Sequence, residues 1–343
     1  MTCLFDPIPL LARNTGHPID RIYDSFVAEL PAGIQDAARG LPQRLGLTQG
    51  AEVPWSQVFD NTVLLCLPTR VAGGVRHSVP RELVKAAQAA HLFGVIGALG
   101  VDGIRGGAID QDTESLATLY QVHRARDRAF SSLGVDHRAD VLDYRSAELL
   151  AREAVGEEAR CLSGEEAATR ARYRLVALKK QAMIFPATVA AAVAAGWSAG
   201  DVARLEGMIG GLTLGQQYRS DVVRWIDDHA RGGAWAVTIL AGEYGVGIRR
   251  STLSDLAGQL HTAGILTDLL QLSSRGFAKA AVAARELGIP AIERWAREQA
   301  RLTSGLALFE SVEPGYTVQW EVDRRSQRRR EQLEGCRDLA AAS

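Results

Sequence analysis

Long segments with the periodicity of a helix fill the chain from Pro80 onwards, and this feature restricts the fold more than any other. Within them, apolar residues recur three and four positions apart, as they do on the buried face of a helix. No run of alternating polar and apolar residues indicates a strand, and no repeat of about 20–50 residues is visible. We therefore expect an all-α chain in which helices pack on helices.

Breaks in the periodicity give the expected bounds of these helices. Residues 1–80 are rich in Pro and Gly and predict two or three short helices. Pro186 is expected to bend or break a long helix, because proline removes an internal hydrogen bond. We expect one domain over residues 1–322 and a basic, frayed tail over 323–343. The longer helices are expected at about 81–101 (running on towards Asp112), 113–132, 138–157, 164–195, 199–230, 251–287 and 290–310.

Composition agrees with this fold class. Hydrophobic residues make up 47% of the 343 residues and aromatic residues only 6%. Alanine and leucine, both helix formers, dominate the apolar set. The formal net charge of −1 gives no general case for nucleic acid or an anionic membrane as a partner. No stretch of about 18 apolar residues is free of charge, so no membrane-spanning helix is expected.

The cysteines and the termini indicate a reducing, cytoplasmic environment. The N-terminal sequence MTCLFDPIPLLARN has no basic region and does not resemble a signal peptide. The four cysteines lie far apart without zinc-ligand spacing, so they are expected to be free thiols. They are Cys3, Cys66, Cys161 and Cys336. The basic cluster of the tail is expected to be a solvated helix end; it consists of Arg324, Arg325, Arg328, Arg329 and Arg330.

One acidic segment, residues 207–233, changes character along a single helical face. Small and apolar residues occupy the start of that face, and polar and acidic residues occupy its end, which is unusual for a core-facing helix. Asp227 and Asp228 also fall in the last turns, where the helix dipole disfavours acids unless a cation compensates. A bound Mg²⁺ would be such a cation. Alternatively, Asp227 and Asp228 are solvated and Asp221 pairs with Arg224 or Arg219. The face consists of Gly210, Leu214, Gln217, Asp221, Arg224 and Asp228.

A second acidic segment, residues 90–114, ends an apolar helix. Asp102 follows eleven uncharged residues, so its carboxylate needs a partner such as a metal or Arg105. Asp110 lies two helical turns further on the same face, with Gly106 between them. The glycines of this segment would let a neighbouring helix or a ligand come close. Alternatively, the helix ends at Gly106-Gly107, and Asp110 and Asp112 cap the next one.

The stretch from Lys179 to Asp228 resembles the polyprenyl synthetase and terpene synthase superfamily. A lysine, an alanine-rich helix, the turn AGWSAGD, the pattern G…LG…Q and an acidic end follow in the family's order and at similar spacing. In the first acidic segment, DGIRGG resembles the family's DxxxDG motif. The match is degenerate and covers about a third of the chain. Ser220, Arg224 and Gly106 stand where the family has aspartates.

The resemblance implies a helical bundle around a central cavity, in which Mg²⁺ and basic residues hold a prenyl diphosphate. The catalytic residues would be Asp102, Asp221 and Asp228. The implied metal ligands are Asp102, Asp110, Gln217, Ser220, Asp221, Asp227 and Asp228. The implied diphosphate-binding residues are Arg172, Lys179, Lys180, Arg219 and Arg224. The aromatic faces that would stabilise a carbocation are those of Phe93, Phe185, Trp197, Tyr218 and Trp225. His91, on the apolar side of its helix, is expected to be a satisfied core histidine.

The altered aspartates favour a terpene cyclase, a lyase of secondary metabolism. The arginine-rich RRG that follows the first motif in chain-elongating enzymes is absent. A chain-elongating or head-to-head prenyltransferase is the alternative, and a non-catalytic relative that binds a partner subunit is another. A helical regulatory protein with solvated acidic faces is a rival from outside the family. Homodimers are common among relatives, which is an analogy only.

Overall fold

The computed structural model describes residues 17–48, 53–58, 63–105, 112–135, 138, 141–230, 235–246 and 253–323. Every regular element in these ranges is a helix, which confirms the predicted all-α class. The chain divides into two compact units. The first takes its described residues from Met1–Tyr144 and Met183–Val202, and the second from Arg145–Ala182 and Ala203–Arg325. The predicted one-domain organisation, central cavity and tail boundary stay predictions.

The first unit is organised around the long helix α6. Helices α5, α7 and α10 pack against it, and α1 contacts it as well. Residues Arg81–Ile104 of this helix are long and apolar enough to cross a membrane. However, 67% of their most apolar stretch is buried inside the protein, as in a core helix. The helices of this unit are α1 (Pro18–Glu29), α2 (Ala32–Arg39), α3 (Leu41–Arg44), α4 (Trp55–Val58), α5 (Leu67–Ala72), α6 (Arg81–Arg105), α7 (Thr113–Ser131) and α10 (Pro186–Ala194).

Glycines of α6 make room for neighbouring side chains. A methyl group at Gly100 would lie 2.3 Å from Leu119 Cδ2, and one at Gly94 would lie 2.5 Å from Tyr144 Cε1. The Tyr144 hydroxyl donates to the Ala90 carbonyl over 2.8 Å on the same helix. The expectation that these glycines admit close neighbours is therefore confirmed, and the neighbours are α7 and the start of α8 (Tyr144–Ser163).

Two further details of this unit were anticipated from sequence. His91 is fully buried and its Nε2 bonds the Leu64 carbonyl over 2.7 Å. Burial lowers its pKa to about 4, so it is a neutral core histidine. The expectation of a satisfied histidine is met only in part, because its buried Nδ1 has no hydrogen-bond partner among the described residues. Asp112 caps α7, because its Oδ1 accepts from the Ser115 amide over 2.7 Å. This confirms the capping alternative for that residue.

In the second unit, the long helix α11 (Ala199–Ala230) contacts α9, α14 and α15. Helices α12, α13 and α15 pack on α14, and α12 also packs on α9. Cys161 is buried in this core and Cys66 is buried in the first unit, and neither forms a disulfide within the described residues. Cys3 and Cys336 lie outside those residues. The helices that complete the chain are α8, α9 (Arg170–Lys180), α11 (Ala199–Ala230), α12 (Trp235–Glu243), α13 (Leu253–Thr262), α14 (Ile265–Glu286) and α15 (Pro290–Val312).

Helices α11 and α14 approach closely at glycines. A methyl group at Gly211 would lie 2.9 Å from the Gly276 carbonyl oxygen, and one at Gly215 would lie 2.9 Å from the Phe277 ring. The Ser273 hydroxyl donates to the Gly215 carbonyl over 2.5 Å at the same crossing. Because this face of α11 packs on α14, the acidic stripe lies on a different face of the helix.

Four of the seven expected long helices match closely and three differ. Before Pro80, where two or three short helices were expected, the described residues form five, α1 to α5. The break in 164–195 falls at residues 181–185, and Pro186 begins α10, where its missing N–H costs nothing. The expected helix 251–287 is two helices, because Gly264 adopts a left-handed φ of 69° between them. Helix α12 was not predicted. The expected helix at 138–157 begins later and ends later, at Tyr144–Ser163.

Candidate functional site

The strongest candidate site in the second unit is a hydrogen-bonded group around Asp221, on the stripe predicted from sequence. The Tyr173 hydroxyl of α9 donates to Asp221 Oδ2. Gln217 Nε2, one turn earlier on α11, donates to Asp221 Oδ1 over 2.8 Å. Gln181 Nε2 donates to Gln217 Oε1 over 3.2 Å. We call Tyr173, Gln181, Gln217 and Asp221 the Asp221 cluster.

Helix geometry explains why these groups meet. Gly210 lies on the same stripe, and a methyl group there would lie 3.6 Å from Leu178 of α9. The stripe of α11 therefore faces α9, while Gly211 and Gly215 face α14. Tyr173 is buried and packs against Tyr218 and Trp235, with ring centroids 5.2 Å away in each case. These contacts hold the Tyr173 hydroxyl in place beside the carboxylate.

The ionisation of Asp221 is strongly perturbed. Loss of water around the carboxyl group raises its pKa to about 7, against the lowering effects of the Tyr173 and Gln217 hydrogen bonds and of the Lys180 charge. The negative charge of Asp228 raises this pKa further. Burial, followed by the Asp221 charge, raises the pKa of Tyr173 well above its usual value. The hydroxyl therefore stays protonated and acts as a donor.

The two predicted lysines already have carboxylate partners. Lys179 Nζ lies 3.2 Å from Glu157 Oε2, and Lys180 Nζ lies 2.6 Å from Glu158 Oε2. All four side chains are less than one third exposed. Lys180 lies close enough to Asp221 for its charge to lower the pKa of that carboxyl group. The second unit thus gathers two cations and several carboxylates near one end of α9.

The remaining acids of the stripe differ in exposure. Asp228 is half-buried, and its charge acts on Asp221 two turns away. Asp227 is exposed, as in the solvated alternative for that residue. Arg224 is half-buried on the same helix, and Ser220 is buried.

Two other predicted diphosphate-binding residues make different contacts. Arg219 is buried and donates to Gln299 Oε1 over 2.6 Å and to Gln216 Oε1 over 2.9 Å. Its guanidinium also lies 5.6 Å from the centre of the Phe277 ring. Arg172 pairs with Glu166 over 2.8 Å at the start of α9. None of these four contacts involves the Asp221 cluster.

The predicted aromatic residues fall in both units. Tyr218 and Trp225 are buried in the core of the second unit beside the cluster. Phe93, Phe185 and Trp197 belong to the first unit. Phe93 is buried, Phe185 is half-buried, and the Trp197 ring lies 4.3 Å from that of His77.

The first acidic segment is only partly described. Asp102 is half-buried near the end of α6, in the first unit. Gly106, Asp110 and the side chain of Arg105 lie outside the described residues, as does the arginine cluster of the tail. The roles predicted for Asp102 and Asp110 stay predictions.

Among the described side chains, no group of three or more His, Cys, Asp or Glu residues is arranged to hold a metal ion. Magnesium, however, is usually held by one or two carboxylates together with substrate phosphates. Asp221 and Asp228 are two carboxylates on one stripe of α11, and the charge of Asp228 acts on Asp221.

Sequence reasoning missed Tyr173, Glu157 and Glu158. Nothing in the pattern around Tyr173 distinguishes it from a core tyrosine. The glutamates carried a usable signal: an adjacent acidic pair on one helix precedes an adjacent basic pair, Lys179-Lys180, on the next. Helices joined by a short connection tend to lie side by side, so reciprocal pairing could have been anticipated.

Comparison with known proteins supports the fold. No protein-family model matches the chain, and no curated protein matches it. Among solved structures, it is similar to a polyprenyl synthase from Roseobacter denitrificans, with a TM-score of 0.54 and 17% sequence identity. The similarity covers 84% of this chain and 98% of the synthase. At this identity the likeness establishes the fold, which is all-α and isoprenoid synthase-like.

Proposed function

We propose that this chain acts on a prenyl diphosphate, and that it does so as a class I terpene synthase. The observation that carries the proposal is the Gln217–Asp221–Asp228 stripe of α11, facing α9 and its lysines, in a chain whose fold resembles that of a polyprenyl synthase. An isoprenoid substrate is the coarser part of the proposal. Cyclisation is the finer part, and it rests on the altered aspartates and the absence of the RRG sequence.

The roles follow from charge and geometry. Lys179 and Lys180 would bind the diphosphate, exchanging their glutamate partners for phosphate oxygens. Asp221 and Asp228 would hold Mg²⁺, which supplies charge stabilisation for the leaving pyrophosphate when bound. Tyr173 and Gln217 orient the Asp221 carboxylate. Tyr218 and Trp225 would offer aromatic faces to the carbocation left when the carbon–oxygen bond breaks.

The test is turnover of defined substrates. Purified protein is incubated with Mg²⁺ and geranyl, farnesyl, geranylgeranyl or geranylfarnesyl diphosphate, with and without isopentenyl diphosphate. Released pyrophosphate and extracted hydrocarbons are both measured. A hydrocarbon or alcohol from one substrate alone is the expected result. Longer diphosphates that form only with isopentenyl diphosphate would instead indicate a chain-elongating prenyltransferase.

Variants connect the activity to the site. Asp221→Asn and Asp228→Asn are expected to abolish pyrophosphate release. Asp227→Asn is the matched control, because this neighbouring carboxylate is exposed to solvent and is expected to tolerate the change. Equal loss in all three variants would contradict the arrangement proposed here.

The ion pairs of the lysines favour a second candidate, a non-catalytic relative that binds a partner subunit. Lys179 and Lys180 are neutralised by Glu157 and Glu158 within the unit itself. This candidate predicts no pyrophosphate from any substrate and no rise in melting temperature with diphosphate and Mg²⁺, since a ligand of the native state must raise it. The cytoplasm is the proposed location in either case.

A further inference from the structure

A groove in the first unit combines an apolar floor with a basic rim. It encloses about 800 Å³, within the range of small-molecule sites. Helices α1, α6 and α7 form it, with Thr69 of α5 at its edge. Neither the Asp221 cluster nor Asp102 lines it.

The floor of the groove is apolar. Phe26 of α1 and Phe93 of α6 are both buried, with ring centroids 4.9 Å apart. Three alanines from α6 and α7 line the groove beside them, and their short side chains leave the space open; they are Ala89, Ala125 and Ala129. An aliphatic chain lying on such a surface would bury its methylene groups, each worth about 0.8 kcal/mol.

The rim of the groove carries positive charges that are mostly not paired with carboxylates of the described residues. Four cations line it: Arg21, Arg81, Lys85 and Arg128. Lys85 pairs with Glu82 over 3.0 Å. Within the described part of the chain, none of the three arginines has a carboxylate partner.

Two details strengthen the attraction for an anion. Glu29 is the only acid among the described residues that line the groove. Arg81 is the first residue of α6, so the partial positive charge of that helix terminus adds to the side-chain charges. Guanidinium groups match the oxygens of a phosphate or carboxylate in geometry as well as charge.

We infer that this groove binds an amphipathic anion, with an aliphatic chain on the Phe26–Phe93 floor and a phosphate or carboxylate head among the arginines. An apolar floor beside a basic rim suits a ligand that has both an aliphatic chain and an anionic head. A ligand that has only one of them would leave part of the groove unused. This site goes beyond the proposed function, since it requires no bond to break and uses none of the residues given a role under the proposed function. Of the aromatic residues that the family resemblance implies, it contains only Phe93.

Calorimetric titration of the full chain with decyl phosphate, below its micellar concentration, tests the inference. Saturable one-to-one binding is expected. Decyl maltoside, which has the chain without the charge, and inorganic phosphate, which has the charge without the chain, should each bind at least about tenfold more weakly. Decanoate distinguishes the two head groups. If it binds as tightly as decyl phosphate, the groove accepts either small anion. If it binds more weakly, the groove prefers a phosphate.

Matched variants locate the binding. Arg21→Gln with Arg128→Gln should weaken decyl phosphate binding at least about tenfold, because two charge-assisted contacts are lost. Arg124→Gln, one turn earlier on α7 and not lining the groove, should leave it unchanged. All of these arginines are exposed, so the variants should fold. Ala129→Phe fills the floor and should weaken binding by a similar factor while the rim stays intact.

The inference is overturned if decyl phosphate does not saturate, or if it binds the rim and floor variants as tightly as the wild type. Asp221→Asn should bind decyl phosphate normally. Loss of turnover in Asp221→Asn with normal decyl phosphate binding would therefore separate this site from the proposed enzymatic one.

Discussion

At the scale of single residues, the Asp221 carboxylate combines burial with a nearby like charge. Both effects raise its pKa, and two hydrogen-bond donors and a lysine oppose them without restoring the ordinary value. Such perturbed carboxyl groups are common at functional sites, although structural networks also produce them. Its ionisation is therefore the most direct measure of whether the cluster is formed in solution.

Asp221→Asn is expected to change the pH dependence of stability. Folding raises the pKa of this acid from about 3.8 to about 7, so the folded state holds the proton more tightly. Its contribution to stability is therefore greatest below pH 4, falls as the pH rises to about 7 and is level above. The variant should gain stability relative to wild type across that window, by about 1–3 kcal/mol at pH 8. Urea unfolding at pH 4.5, 6 and 8 measures this, and a difference that does not vary with pH would contradict it.

Glu158→Gln is expected to free Lys180 for an anion. The ion pair is half-buried, so the lysine must give up its partner before it binds phosphate oxygens. Removing that competition should tighten binding of inorganic pyrophosphate by about three- to tenfold. Glu153→Gln, an exposed acid one turn earlier on α8, is the control. Calorimetric titration provides the comparison, and equal affinities in wild type, variant and control would exclude competition by Glu158.

At the scale of the helices, the face of α11 that carries the cluster depends on the opposite face, which packs on α14. Gly211 and Gly276 bring the two backbones together, and Ser273 bonds Gly215 across the crossing. The rotation of α11 about its axis therefore determines whether Asp221 meets Tyr173.

Two glycine substitutions on α11 should have opposite effects. Gly211→Ala places a methyl group 2.9 Å from the Gly276 carbonyl oxygen and should cost about 1–3 kcal/mol of stability. Gly207→Ala meets no atom within 4 Å and should gain about 0.5–1 kcal/mol, because glycine disfavours a helix interior. Thermal and urea unfolding of both variants checks the pair. A gain from Gly211→Ala would mean that the helices can separate without loss.

At the scale of the whole molecule, each unit is assembled from separate stretches of chain. The first unit needs α10, whose residues Pro186–Val193 are all buried and which packs against α5 and α6. A fragment of residues 1–144 lacks that helix and should unfold without a cooperative transition. A fragment of residues 1–202 restores it and should show one. Circular dichroism during heating distinguishes them, and cooperative melting of the shorter fragment would show that α10 is dispensable.

The sequence predicts more of the fold than of the site. Helix periodicity identifies α6, α7, α11 and α15 because each has a long apolar face, and a proline or glycine marks most of their ends. The sequence also identifies the stripe that contains Asp221. It does not identify Tyr173 or the glutamate partners of the lysines, since those contacts depend on which helices become neighbours. The sequence does not predict helix α12, because Gly232-Gly233, just before it, have the pattern of a helix end.

The contact between Gly94 and Tyr144 has an evolutionary consequence. The ring occupies the space that a side chain at residue 94 would need, and its hydroxyl reaches the carbonyl of Ala90. A larger residue at 94 would displace the Tyr144 ring, and a smaller residue at 144 would leave a cavity beside Gly94. In homologous sequences the two positions should therefore vary together, with a larger residue at 94 accompanied by a smaller one at 144. Their joint variation would identify distant homologues even where the acidic motifs have diverged.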